Sequence, residues 1–356
     1  MLKKIYKNFI ILFFKIIYPK ITMETHSSIK ESFIINNLKK KKYKIKIFQC
    51  SNTRIFTDNL YNVSFIKDNK LIKKISFEYT HDGYYKKKIE NSVLKNGTPK
   101  FIKFLPGKTL CLAQGASGKN YFHWLFDIFP KIFLIRKKFN INHFDNFYLN
   151  EINQNILEDF LNILGIKKEK VVLSKKYKHV MCENLIIIEH PYFKEGHWWK
   201  SFSKMPSWIV HLLKKSFVKK KYRQNKKIFI DRSDTKNPHN RIINSLQIKN
   251  FLKKKGYNVY NLSNMKFKNQ VRLFTQASHI IAAHGASLAN ITFCQKKTKI
   301  LDLKCENFKK NLLYKRISSI SKLKYFSITF KGKNKNNMII NQKKFNKFLL
   351  STKFLD

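Results

Sequence analysis

Acidic residues are scarce in this chain: 21 Asp and Glu stand against 73 Lys and Arg, a formal net charge of +52 over 356 residues. No Asp-x-Asp pair occurs, and the His and acidic residues do not cluster with Cys, which leaves a catalytic metal unsupported. The five cysteines, Cys50, Cys111, Cys182, Cys294 and Cys305, are odd in number and contain no CxxC pair. That spacing argues against a disulfide framework and a zinc site and makes a reducing compartment the default. The GxGxxG dinucleotide fingerprint is absent, as are a P-loop and a Ser nucleophile elbow, so a nicotinamide oxidoreductase is disfavoured. Long apolar runs are missing too. Near the start the uninterrupted stretch is only Phe9 to Phe14 before Lys15, short of the about 20 residues a bilayer span needs, and no small-residue cleavage site follows. Two readings of this basic, apolar start stay open: a helix lying on an anionic membrane face, or one packed on the protein's own core.

What is present begins with the charge. Taken alone, +52 suggests a polyanionic partner, and a basic nucleic-acid-binding protein is the alternative function to weigh. The lysines, however, are spread along the whole chain, and Asn, Ile, Phe and Tyr are inflated with them, as the codons of an AT-rich genome would produce. The residual role for the charge is attraction toward anionic substrates and lipids. Aromatic residues make up 15% of the chain, against a disordered nucleic-acid tail. With 43% hydrophobic residues, the length suits two α/β domains.

The densest chemistry lies in Asn120-Tyr121-Phe122-His123-Trp124-Leu125-Phe126-Asp127-Ile128-Phe129-Pro130. Asn120, His123 and Asp127 fall at i, i+3 and i+7, one face of a helix, with His123 and Asp127 a turn apart. A carboxylate so placed orients the imidazole and stabilises its charged form, a general-base arrangement. The competing reading is a pair of polar groups satisfying each other under an aromatic wall. Gly115 and Gly118, just upstream, favour close approach of a ligand.

Up to about residue 110 the pattern is β-rich, with strands expected at 61–66, 71–79 and 101–105. A helix from Asn120, a strand at 147–149, a helix over 153–164 stopped by Gly165, and strands at 171–173 and 185–188 follow. Residues 191–208 hold three of the four Trp residues, Trp198, Trp199 and Trp208, and read as an irregular aromatic loop, a candidate interdomain surface or acceptor wall. From 226 the alternation is regular: strand 228–230, helix 246–255, strand 258–262, helix 268–278, strand 279–283, helix 287–293, strand 299–303. Such alternation predicts a parallel, Rossmann-like sheet that binds ligands at the carboxyl ends of its strands. Two loops occupy those ends. His284-Gly285-Ala286-Ser287-Leu288-Ala289-Asn290 turns a strand into a helix with small residues that let amides approach a phosphate, and Ser287 can cap or donate. Asp231-Arg232-Ser233-Asp234 follows the strand at 228–230, with Arg241 nine residues beyond Arg232; guanidinium groups there can clamp a diphosphate.

Together, in this order, these segments resemble one family. Residues 118–131 look like the Asn-aromatic-aromatic-His-Trp-x-x-Asp-x-x-Pro motif of the family 61 glycosyltransferases, associated with capsular polysaccharide biosynthesis. Asp231-Arg232 through Arg241-Ile242-Ile243-Asn244 resembles its Ser-Arg…Arg-Arg-Ile-x-Asn segment, and residues 277–293 its Ala…His-Gly-Ala-x-Leu-x-Asn-x-x-Phe signature. Asp231, Asn240, Ser245 and Asp302 depart from the usual residues, which bears on the donor's identity more than on the reaction class. The resemblance implies a GT-B architecture, two Rossmann-like domains facing a cleft beside a β-rich N-terminal part: 1–110 β-rich, 111–222 acceptor side, 223–335 donor side and 336–356 a helical tail. It implies an inverting, metal-independent transfer with no cofactor, from a nucleotide-sugar to a glycan or lipid-linked glycan acceptor. His123, Asp127 and Asn120 would be catalytic, with either His123 or Asp127 as base. Arg232, Arg241, Asn244, His284, Gly285, Ala286, Ser287 and Asn290 would bind the donor. The expected location is cytoplasmic, peripheral to the inner membrane face, and no specific nucleic acid is expected as a partner.

Overall fold

The computed structural model describes residues 2–24, 29–38, 41–58, 60–80, 87, 90–114, 120–151, 154–192, 198–233, 240–334 and 337–356. Among the described residues the chain is mixed α/β with three sheets. It divides into two compact units, Met1–Ser201 and Phe202–Asp356.

Unit 1 opens with helix α1 (Leu2–Ile17). There follow strands β1 (Thr22–Met23), β2 (Lys30–Leu38), β3 (Lys41–Thr57), β4 (Asn62–Lys67), β5 (Lys70–Leu71) and β6 (Phe77–Glu78), then helix α2 (Ser92–Asn96). The second half of the unit runs β7 (Lys103–Cys111), α3 (Tyr121–His123), α4 (Phe129–Ile135), β8 (Asn146–Leu149), α5 (Gln154–Leu164), β9 (Val171–Leu173) and β10 (His179–Ile188). One sheet carries all ten strands, in the order β1-β5-β4-β3-β10-β7-β8-β9, with β2 also on β3 and β6 on β4. Strands β10, β7, β8 and β9 are mutually parallel, and β3 joins them antiparallel through β10. The long strand β3 was not anticipated. It alternates Lys44 and Lys46 with buried Ile45 and Ile47, a period-2 pattern disguised by lysine on the outer face. Gly165, with φ 59°, takes the left-handed conformation that stops α5.

The chain leaves β7, lays down β8 and β9 on one side of it, and returns with β10 on the other. Successive crossovers therefore diverge between β7 and β10. In parallel sheets such a reversal opens a crevice at the carboxyl ends of the two strands.

Helix α6 (Trp198–Ser203) carries the boundary, and unit 2 continues with α7 (Ser207–Phe217), β11 (Lys226–Ile230), β12 (Arg241–Ile242), α8 (Ser245–Lys254), β13 (Asn258–Tyr260), α9 (Phe267–Gln276) and β14 (Ala277–Ala283). A 3-10 helix (Ala286–Phe293), β15 (Lys299–Cys305), α10 (Leu313–Ser321), β16 (Lys324–Phe330), β17 (Gly332–Asn334), β18 (Asn337–Met338) and α11 (Gln342–Ser351) complete it. Its main sheet has the order β13-β11-β14-β15-β16 with every pairing parallel. Ile228, Phe229, Ile280, Ile281, Ile300 and Leu301 are fully buried, as expected of strands covered on both faces. The reversal of strand order falls here between β11 and β14. Two expectations change in this region. Residues 191–208 are not irregular throughout: Trp198–Ser203 is helical and α7 starts at Ser207, with Phe202, Met205 and Trp208 buried at helical spacing. The segment after Gly285 winds as a 3-10 helix rather than an α-helix.

Candidate active site

In unit 1, Asn120 caps the helix that carries the His–Asp pair. Its Oδ1 accepts from the Phe122 amide at 3.0 Å. The helix then widens into a π-turn over Trp124–Ile128 before α4. Pro130 has no N–H to give, and its ring crowds the carbonyl four residues back, so a wider turn accommodates it. His123 and Asp127 remain in register on this turn, Nδ1 to Oδ2 at 2.5 Å.

Asp127 is 1% exposed, and its carboxylate collects donors from three separate segments. Gln114 Nε2, three residues past β7, donates to Oδ2 at 2.8 Å. The Tyr192 hydroxyl donates to Oδ1 at 2.5 Å, and His190 Nε2 lies 3.5 Å from the same oxygen. His190 and Tyr192 follow β10. Ile187 pairs with Cys111, so His190 and Gln114 each stand three residues beyond one level of adjacent parallel strands. The cluster thus sits at the reversal point of the unit 1 sheet. Burial alone would push the Asp127 carboxyl up, but His190 and His123 outweigh it and hold it well below the usual carboxylate range. Burial lowers His190 in turn, against the pull of Asp127. Burial also pushes the nearby Lys131 ammonium down to about 8. A buried charge with this many donors is paired rather than stranded. Asp127 thus fixes the proton of the neutral imidazole on His123 Nδ1.

In unit 2, Arg232 follows β11 and His284-Gly285 follow β14. Ile230 pairs with Ala282, which sets Arg232 level with His284. Arg232 Nη1 donates to the His284 carbonyl at 2.5 Å. The guanidinium lies so close over Gly285 that a Cβ there would overlap it. The Gly285 carbonyl accepts from the Tyr314 hydroxyl at 2.6 Å. The His284 ring is buried, its Nδ1 donating to Asp302 at 2.9 Å, while the Tyr325 hydroxyl donates to the same carboxylate oxygen at 2.8 Å. The His284 ring thus ties the turn to Asp302, and its carbonyl holds the Arg232 guanidinium. The Ser287 hydroxyl oxygen is buried without a hydrogen-bond partner among the described residues.

Arg232 and Arg241, both chosen from sequence, line one hollow together with Asp231, Ser233, Ser245 and Ala283. Asp231 accepts from the Ser233 hydroxyl at 2.7 Å and from Lys249 Nζ at 3.0 Å. Burial raises the Asp231 carboxyl, but these two donors more than compensate and lower it. Asn244 and Asn290 are occupied differently. Asn244 donates to the Ile340 carbonyl at 2.9 Å and accepts from its amide at 3.0 Å, tying α8 to the strand end at β18. Asn290, fully buried, donates to Gln270 Oε1 at 3.0 Å and to the Ser287 carbonyl at 3.1 Å. Ala286 opens the 3-10 helix beside Ser287. Gly115, Gly118 and Asp234 lie outside the described residues, as do the side chains of Trp198 and Trp199.

The sequence model of the family described as Glycosyltransferase 61 matches residues 121–301. The chain belongs to glycosyltransferase family 61. The matched span of this glycosyltransferase runs from the His123–Asp127 turn through the Gly285 turn and ends one residue before Asp302, while Gln114, Tyr314 and Tyr325 stand outside it. A search of curated proteins finds no match. Membership makes the chain a transferase acting on a sugar donor and an acceptor. Neither the fold nor the match supports the nucleic-acid alternative.

Sequence reasoning missed Gln114, His190 and Tyr192 around Asp127, and Tyr314 and Tyr325 around the Gly285 turn. The available signal was positional: Gln114, His190 and Tyr192 all stand just beyond apolar strands, where polar residues at carboxyl ends carry function. Asp302 offered a second signal, a carboxylate inside the apolar strand Lys299–Cys305.

Proposed function

We propose that this glycosyltransferase transfers a sugar from a nucleotide-sugar to a glycan or lipid-linked glycan acceptor in surface polysaccharide synthesis, with inversion and without a metal, and that a GT-B pairing of its two units is part of the same reading. His123 is the base. The observation that carries this choice is the saturation of Asp127: a carboxylate that accepts from His123, Gln114 and Tyr192 and is held below its usual range is a poor proton acceptor and a good orienting group. As the acceptor oxygen attacks the anomeric carbon, its proton passes to His123 Nε2. The bond from that carbon to the diphosphate oxygen breaks, and the leaving group keeps the electron pair. Arg232 and Arg241, with the amides of the Gly285 turn, take up the charge that grows on the leaving diphosphate. The position of both arginines at the β11/β14 reversal supports this placement; the hollow they line is only about 10 Å³, so their side chains must part to admit a diphosphate.

The test is transfer from a panel of nucleotide-sugars to a lipid-linked glycan by the full chain. His123→Ala should lower turnover by about 10²-fold or more, with nucleoside diphosphate binding unchanged, and wild-type rates should persist in excess EDTA. Near-wild-type turnover in His123→Ala would remove the base assignment, and EDTA inhibition reversed by Mn²⁺ would remove the metal-independent mechanism.

A further inference from the structure

Helix α1 is amphipathic in the opposite sense to a helix that packs on its own domain. Leu2, Ile5, Phe9, Leu12 and Ile16 recur at spacings of three and four and, with Phe13 beside Leu12, form one apolar stripe. All six are exposed, Leu2 at 84%, Phe9 at 67% and Ile16 at 80%. Phe14 is the one buried residue of the helix among those described. Its ring packs on Phe101 at a centroid distance of 4.9 Å and on Tyr18 at 5.8 Å, and Tyr18 in turn meets His179 at 5.5 Å. The helix is thus fastened to unit 1 at its carboxyl end by a different side from the one bearing the stripe. Phe101, the partner of Phe14 on that other side, is itself 71% exposed.

Charge tells what covers this face. Lys4, Lys7 and Lys15 are exposed on the same helix, off the apolar stripe, and the whole chain carries +52. An apolar face with cationic flanks and a strongly basic body fits an anionic bilayer surface, where side chains enter the acyl boundary while ammonium groups stay among the headgroups. Helix α1 has 16 residues, and no helix of the described residues is long and apolar enough to cross a membrane. We infer that the apolar stripe of α1 is a monotopic docking surface for a bilayer of anionic lipid. This inference does not depend on the proposed reaction.

The experiment is co-sedimentation of the full chain with vesicles of phosphatidylcholine alone or mixed with phosphatidylglycerol. Wild type should bind the mixed vesicles, and raised NaCl should weaken that binding as charge is screened. The double variant Phe9→Glu, Leu12→Glu changes only exposed positions and should weaken partition by roughly 100-fold, with an unaltered melting curve. Lys4→Glu with Lys7→Glu should reproduce the effect of salt. Leu12→Trp keeps the apolar character and should show blue-shifted emission on mixed vesicles, an insertion readout that does not rely on the disruptive pair. Equal binding to neutral vesicles, retention by the Phe9/Leu12 variant, emission from Leu12→Trp that mixed vesicles leave unshifted, or a lipid-free dimer abolished by the same pair would each overturn the inference, the last by assigning the face to a second copy.

Discussion

Replacing Gly285 by Ala isolates the donor-phosphate assignment in a single methyl group. The backbone is not the obstacle, since φ of 162° is extended and any residue adopts it. What the new Cβ meets is the Arg232 guanidinium, which must swing away and give up its bond to the His284 carbonyl. Arginine is flexible, so the fold should survive and the melting temperature should barely move. Ligand binding should not survive intact. A charge-assisted hydrogen bond contributes about 1.5–3 kcal/mol, which corresponds to a rise of roughly 10- to 150-fold in the dissociation constant for the nucleoside diphosphate. Arg232→Ala should cost about the same. The double variant is decisive: the three heavy atoms nearest a Cβ at Gly285 all belong to the Arg232 guanidinium, so once it is gone the two penalties should not add. Calorimetric titration of the four proteins with UDP, GDP, CDP and ADP measures the cycle. Wild-type affinity in Gly285→Ala, or a double variant whose loss is the product of the two single losses, would refute the reasoning.

Two further outcomes follow from the hydrogen bonds. Tyr192→Phe removes one donor to Asp127 while keeping the ring; it should lower kcat by about 3- to 10-fold and stability by about 1 kcal/mol, leaving KM for the donor unchanged, and a KM effect alone would show that Tyr192 serves substrate binding instead. Asn244→Ala breaks the paired contacts to Ile340 and should cost about 1–3 kcal/mol in chemical denaturation with nucleoside diphosphate affinity intact; the reverse pattern would place Asn244 at the ligand.

The alternation from residue 226 onward was legible because each of its elements is locally encoded. The apolar run Ile228 to Ile230 is short enough to read as a buried strand, and Gly256 stands two residues past the end of α8. The β2–β3 hairpin was not legible, because lysine stands at the outward positions of β3 and masks its alternation as a charge run. The sign of α1's amphipathicity was undetermined for a related reason: a stripe of apolar residues specifies a face, but whether that face turns toward the domain depends on where Phe14 finds its pocket against Phe101.

Residue chemistry and local spacing were determined by the sequence itself. The His123–Asp127 pair is a helix-turn contact, and the placing of Arg232 and His284 after strands follows from the local pattern. Strand order was not so determined. It depends on which β-strands become neighbours after crossovers of tens of residues, and hydrophobic burial along a strand is nearly the same whichever parallel neighbour it receives. The tertiary structure therefore decided that β7 lies beside β10, bringing Gln114, His190 and Tyr192 onto Asp127. It decided equally that β11 lies beside β14, laying Arg232 over Gly285 in a space that only a residue without a Cβ leaves open.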